Sequence, residues 1–301
     1  MKARTTLFLM ALPSFILLIA FLYVPLYGWI YAFFKYRPGV PLSGSPFVGL
    51  EYFRVAFGDK EVLLVLRNTL VLSFLTLLCT PLPAIGAILL SEIPSKRFRN
   101  FLQTVTTIPN FISWVLVYSV FFSIFSINDG LLNQLLFKLH LINDPTNFLG
   151  DADMAWYFQT AVGLWKSLGF SMIIYIAAIA GIDPSLYEAA KVDGAGRFQM
   201  MRHITVPGIA PTFMVLLILG IGSLLSGGSF VGNAFEQYFV FNNQLVTDKL
   251  MVLDLYVYRI GLQFNDYSFS IAIGMTKTIV SLILLFSVNW ISKKIRGQSI
   301  I

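Results

Sequence analysis

The sequence is short of charge, cysteine and histidine, and each shortage removes a class of protein. Asp, Glu, Lys and Arg make up 12% of the 301 residues, while 57% are hydrophobic. With a mean hydropathy of +0.76, a soluble fold has too little interior to hide the apolar surface. Several stretches of about 20 residues, each long enough to cross a bilayer core, account for it instead. Cys79 is the one cysteine, so an internal disulfide is excluded and the redox compartment is not readable. His140 and His203 are the only histidines and neither neighbours a cysteine, so a His/Cys metal site is not supported. No G-x-x-x-x-G-K-[ST] phosphate loop occurs, and Gly194-Ala195-Gly196-Arg197 lacks the lysine and the following hydroxyl. No catalytic residue and no metal ligand is predicted, and the chain is not expected to hydrolyse ATP by itself.

The net charge is +6, but its distribution argues against a nucleic-acid partner. Cations concentrate on alternate short loops: Lys2/Arg4, Lys96/Arg97/Arg99, Lys191/Arg197/Arg202 and Lys293/Lys294/Arg296. That is the positive-inside pattern of a multi-pass membrane protein. It predicts that these segments, and both chain termini, lie in the cytoplasm.

Six spans are predicted, at about Thr6–Phe34, Leu63–Leu90, Phe101–Ile127, Met154–Gly181, Thr205–Leu225 and Phe269–Ile291. The first is too long for a signal-peptide core and is read as a retained anchor. Pro81 and Pro83 predict a kink in the second, which neighbouring helices can tolerate. Ser91 to Asn100 reads as a basic inner loop, and Gly130 to Leu141 as a short interfacial helix. The fold class is therefore an all-α integral membrane protein, a single transmembrane domain over 1–301 with no internal repeat.

The longest basic, polar interruption is Asp183 to Pro211. Asp183-Pro184 is a helix start, with a capping carboxylate followed by proline where no donor is lost. Asp193-Gly194 reads as a turn, since glycine takes positive φ without strain. A second basic run, Arg197 to His203, leads to Pro207. Helix, turn and helix thus lie at a membrane face, with Leu186, Tyr187, Ala190 and Val192 as apolar surface.

These residues carry a resemblance. Glu188-Ala189-Ala190 followed by Gly194, Ile204 and Pro207 resembles the EAA signature of ABC importer permeases, with Val206 where that family usually has leucine. The resemblance implies a type I importer permease fold, in which the 183–207 loop is a cytoplasmic coupling helix docking into a groove on an ATPase. It implies coupling roles for Glu188, Ala189, Ala190, Asp193, Gly194, Arg197 and Pro207. It covers most of the chain: Phe235-Glu236-Gln237, Tyr256 to Leu262 and the Ser292-Lys293-Lys294 tail look like the branch importing oligosaccharides and polysaccharide fragments. The Gly227 to Ala234 stretch is longer than is usual there. The implied partners are a second, related permease forming a heterodimer, two cytoplasmic ATPases that bind ATP and Mg, and an extracytoplasmic sugar-binding protein. No cofactor is expected in this chain itself, and the implied location is the bacterial cell membrane.

Within the spans, Lys166 has two readings. Gln159, Gly163, Lys166 and Phe170 recur at helical spacing and share a face. Either that face lines a transport cavity, with Lys166 donating to sugar hydroxyls or a uronate carboxylate, or Lys166 is satisfied by carbonyls or by an acid of the companion permease. Lys277 poses the same question. Asn110, Trp114, Val117 and Phe121 form a comparable stripe, and Trp165 sits beside Lys166. Aromatic faces and hydrogen-bonding side chains suit a carbohydrate, although such stripes also serve packing. The candidates for a substrate path are Asn110, Trp114, Tyr118, Gln159, Trp165, Lys166, Phe170 and Glu236. An ion-coupled transporter would be expected to carry intramembrane acids or histidines, and a membrane enzyme a polar cluster at one face. A permease for a non-sugar solute shares the EAA loop and stays open.

Overall fold

The computed structural model describes residues 2–228 and 234–296, the side chains of 2–5 and 295–296 excepted. Part of the Gly227 to Ala234 stretch (229–233) and the side chains of Lys2, Arg4 and Arg296 thus lie outside the described residues. Among the described residues every regular element is helical, and one isolated bridge joins Phe34 and Phe47.

Helix α1 (Lys2–Leu18) passes into a π turn and a 3-10 helix, so that Thr6–Phe33 is one apolar stretch of 28 residues. After the short α2 (Glu51–Gly58), α3 (Lys60–Leu78) and α4 (Pro81–Ser91) make a second, interrupted where Cys79 N–H donates to the Leu75 and Thr76 carbonyls. Proline at 81 has no N–H to continue the ladder, so the helix restarts there, as the prolines predict.

The third span differs from its prediction. Helix α5 (Lys96–Thr107) begins inside the expected basic loop, because Ser95 caps it by accepting the Phe98 N–H at 3.4 Å. It then breaks. Ile108–Phe111 is a 3-10 turn around Pro109, Ile112 and Ser113 are extended, and α6 (Trp114–Phe125) leaves at 103° to the first half. Among the described residues, five helices are long and apolar enough to cross a membrane, and a sixth if this bent pair counts as one span.

Helices α7 (Leu131–Lys138) and α8 (Ala155–Ala180) fall where predicted. Helix α9 (Pro184–Val192) is followed by α10 (Arg197–Met200), which does not end as a separate helix. A π turn, Met201–Thr205, carries it into α11 (Val206–Gly222), so the helix that holds the fifth span, expected from near Thr205, is continuous from Arg197. The wider turn accommodates Pro207, whose ring would crowd a tighter ladder. The stretch between the fifth and sixth predicted spans contains α12 (Phe235–Phe241), α13 (Thr247–Leu250) and α14 (Leu253–Tyr258), and α15 (Tyr267–Arg296) continues through the Ser292-Lys293-Lys294 tail.

The chain divides into two compact units. One, Met1–Leu63 with Tyr256–Ile279, is built on Ala32, Ala272 and Met275, with Trp29, Phe33, Tyr52 and Phe53 packed around them. Ser268 ties it together, its hydroxyl donating to the Phe34 carbonyl at 2.7 Å and accepting the Tyr36 N–H at 3.1 Å. Lys277 is half-buried here.

The other unit, Leu64–Leu255 with Val280–Ile301, centres on Ala84, Ala87, Leu90, Met172, Tyr175 and Ile209. Lipid supplies no hydrophobic drive between helices, so close approach by small residues holds them. A Cβ on Gly169 of α8 would overlap the Thr106 carbonyl of α5, and one on Gly86 of α4 would meet Met172 Sδ at 3.0 Å. Polar pins add to this. Asn68 Nδ2 donates to the carbonyls of Asp248 (2.9 Å) and Met251 (3.2 Å), and Thr69 Oγ1 accepts the Leu253 N–H at 2.9 Å. The polar face of α3 therefore serves backbone groups that would otherwise be buried without partners.

Candidate functional site

The coupling loop assembles from its caps. Asp183 Oδ1 accepts the Ser185 N–H at 2.9 Å, which opens α9 and holds this carboxyl below its ordinary pKa. At the other end the Gly194 N–H donates to the Lys191 carbonyl at 3.1 Å and the Ala195 N–H to the Ala190 carbonyl at 2.8 Å. That is a Schellman closure, and it requires the positive φ of Gly194, +77°. A Cβ at Gly194 would meet nothing within 4 Å, so glycine is needed for conformation rather than space. Gln199 Oε1 then accepts the Gly196 N–H at 2.8 Å to start α10.

Tyr187 and Thr205 share a hydrogen bond of 2.9 Å, fastening α9 to the buried base of α11. Ala190, Asp193, Gly194, Ala195, Gln199, Met200, His203 and Ile204 line a notch of about 360 Å³ between the two arms. Of the predicted coupling residues, Ala190, Asp193 and Gly194 border this notch. Glu188, Ala189, Arg197 and Pro207 are exposed around it. Within the 183–207 loop, the most exposed large apolar side chains are Val192 (88%) and Phe198 (71%). Phe198 was not singled out by the sequence, since a lone aromatic in a basic run carries no periodic signal.

The second site is a polar cavity of about 50 Å³ where α8 faces the break in the third span. That is room for a few water molecules and too little for a sugar ring. Asn110, Trp114, Gln159 and Lys166, all predicted substrate-path residues, line it together with Thr76, Thr160, Gly163, Ser167, Gly228, Gln237 and Tyr238. Lys166 is only 7% exposed. Its Nζ donates to the carbonyls of Pro109 (3.2 Å) and Asn110 (2.8 Å) and lies 5.2 Å from the Trp114 ring centre. Of the two readings of Lys166, the carbonyl-satisfied one describes this geometry.

Gln237 Nε2 donates to the backbone and side-chain oxygens of Gln159, at 2.7 and 2.9 Å, and Tyr238 donates to the Gly227 carbonyl at 2.7 Å. Thr76 could have been found: Thr69, Ser73 and Thr76 form a polar stripe at helical spacing in an apolar span.

The other path candidates fall elsewhere. Tyr118 packs edge-on against Phe241 and borders a larger cleft of about 930 Å³, lined by α6, α7 and the loops near Asn147 and Asn243. Trp165 is exposed beside Phe121, Phe170 is half-buried away from the cavity lining, and Glu236 is exposed in the first turn of α12. Among the described residues no group of three or more His, Cys, Asp or Glu could hold a metal ion.

A helical fold with several spans' worth of apolar helix and a capped helix-turn-helix at one span end is that of a membrane-embedded subunit. Residues 80–297 match the family described as binding-protein-dependent transport system inner membrane component, and the chain belongs to that family. It is 38% identical over 297 residues to protein LplB of Bacillus subtilis (strain 168), covering 98% of this chain and 90% of that protein. It is 39% identical over 295 residues to the polygalacturonan/rhamnogalacturonan transport system permease protein YteP of the same organism, covering 98% and 89%. Its fold also matches a chain in the crystal structure of a bacterial ABC transporter involved in import of the acidic polysaccharide alginate. There the TM-score is 0.87 at 33% identity, over 98% of this chain and 97% of that one.

Proposed function

We propose that this permease is the membrane-spanning subunit of an ATP-driven importer for an oligosaccharide or polysaccharide fragment. The observation that carries the cargo class is likeness along nearly the whole chain to permeases named for such sugars, YteP among them and the arabinooligosaccharide permease AraP at 30% identity. A further match is the alginate transporter bound to a periplasmic protein holding an alginate pentasaccharide. Both termini and the 183–207 loop lie on the cytoplasmic side. There a pair of ATPases binds ATP and Mg and engages the loop through Glu188, Ala189, Ala190, Asp193, Gly194, Arg197 and Pro207. A second, related permease completes the path, which runs past Asn110, Trp114, Gln159 and Lys166. A binding protein delivers the sugar from outside.

The test uses the complex of this permease with its companion, its ATPases and its binding protein, reconstituted in vesicles. Neutral and acidic oligosaccharides are offered on the binding protein, with an amino acid and a phosphate ester as non-sugar controls. ATP-dependent uptake of one saccharide class is the expected result. Uptake confined to a non-sugar solute contradicts the cargo reading.

A further inference from the structure

The third span is broken at an unusual place, and a lysine from another helix sits on the break. Ile112 and Ser113 are extended, so the Asn110 carbonyl has no helical N–H four residues on, and the Pro109 carbonyl receives only the 3-10 bond from Ile112 N–H, at 3.2 Å. Inside a membrane such oxygens are costly to leave bare. Lys166 covers both, at 3.2 and 2.8 Å, with its charge 5.2 Å from the face of Trp114, the second residue beyond the break's first extended position. Helix α8 is held close at this level because Gly169 has no Cβ to meet Thr106. The same lysine forms one wall of the 50 Å³ cavity, which is too small for a sugar ring.

We propose that Lys166 is a latch. It is a positioning residue that holds the bent segment 108–114 in the closed form of the path, and it must release the two carbonyls for the path to open. The ammonium supplies charge-assisted hydrogen bonds to two acceptors of one short segment. Closed and open forms therefore differ in the partners of the ammonium and of both carbonyls.

This inference rests on the importer reading and is tested with the same reconstituted complex. Lys166→Met keeps the stem and removes the donors, whereas Lys166→Arg keeps donors and charge. The measured quantities are ATP hydrolysis without binding protein and sugar taken up per ATP hydrolysed. With the latch gone, hydrolysis without binding protein is expected to rise about threefold or more and uptake per ATP to fall about fivefold, and Lys166→Arg is expected to recover most of both. The ratio is read on assembled complexes only, so a variant that merely folds badly shows a normal ratio and overturns the proposal. So does selective loss of acidic cargo with neutral cargo spared, which would make Lys166 a carboxylate-binding residue. Wild-type uptake is the control. Its absence counts against the importer reading, while its presence with an unmoved ratio counts against the latch alone.

Discussion

At the scale of single residues, the positions that matter most have little freedom. Gly169 lies where a Cβ would overlap the Thr106 carbonyl, and backbone cannot yield as a flexible side chain can. Gly169→Ala is expected to lower the stability of the purified permease by about 1–3 kcal/mol, read as a fall in thermal midpoint in detergent. Asp183 titrates with a known sign. Its carboxyl is held below the ordinary value by the Ser185 N–H, so its capping contribution is complete above the unfolded carboxylate pKa and fades as pH falls through the lower folded one. Amide protection at Ser185 to Tyr187, followed by hydrogen exchange, is expected to be constant from neutral pH down to about 4 and to weaken below that. Asp183→Asn should keep the cap and remove this acid dependence.

At the scale of elements, the loop from Asp183 to Pro207 was largely legible and the third span was not. Capping chemistry is local: Asp183-Pro184 and Asp193-Gly194 state where α9 begins and turns, and the structure closes both ends as they require. The continuation of α10 into α11 escaped notice because Pro207 looks like a stop. A π turn at Met201–Thr205 absorbs it, and that depends on packing at Thr205 rather than on propensity. The third span was expected as one run, about Phe101–Ile127, and its 103° break was not foreseen. What stabilises that bend is a lysine 57 positions away in sequence, and no local pattern links the two. The eight path candidates split for the same reason. Helical spacing identified the face of α8 carrying Gln159 and Lys166, but not which aromatic residues of α6 turn toward it. Tyr187 and Thr205 give a test at this scale. In a double-mutant cycle with Tyr187→Phe and Thr205→Val, the coupling energy is expected to be about 1 kcal/mol. Additive effects on thermal stability would mean that the bond does not fasten α9 to α11.

At the scale of the whole molecule, the proposed path and docking loop imply that energy comes from partner subunits. The Thr6–Phe33 stretch buries none of its most apolar window within the chain, as expected of a helix facing lipid or a companion subunit. In the proposed reading the force arrives through the 183–207 loop, where Val192 and Phe198 are exposed. The most direct measurement is therefore ATP hydrolysis by the reconstituted complex with sugar-loaded binding protein, comparing wild type with Glu188→Ala in complexes shown to contain the same subunits. If the loop couples the ATPases to the spans, the variant loses stimulation by about tenfold or more while remaining assembled. Equal stimulation in the two complexes would contradict the coupling role of the loop.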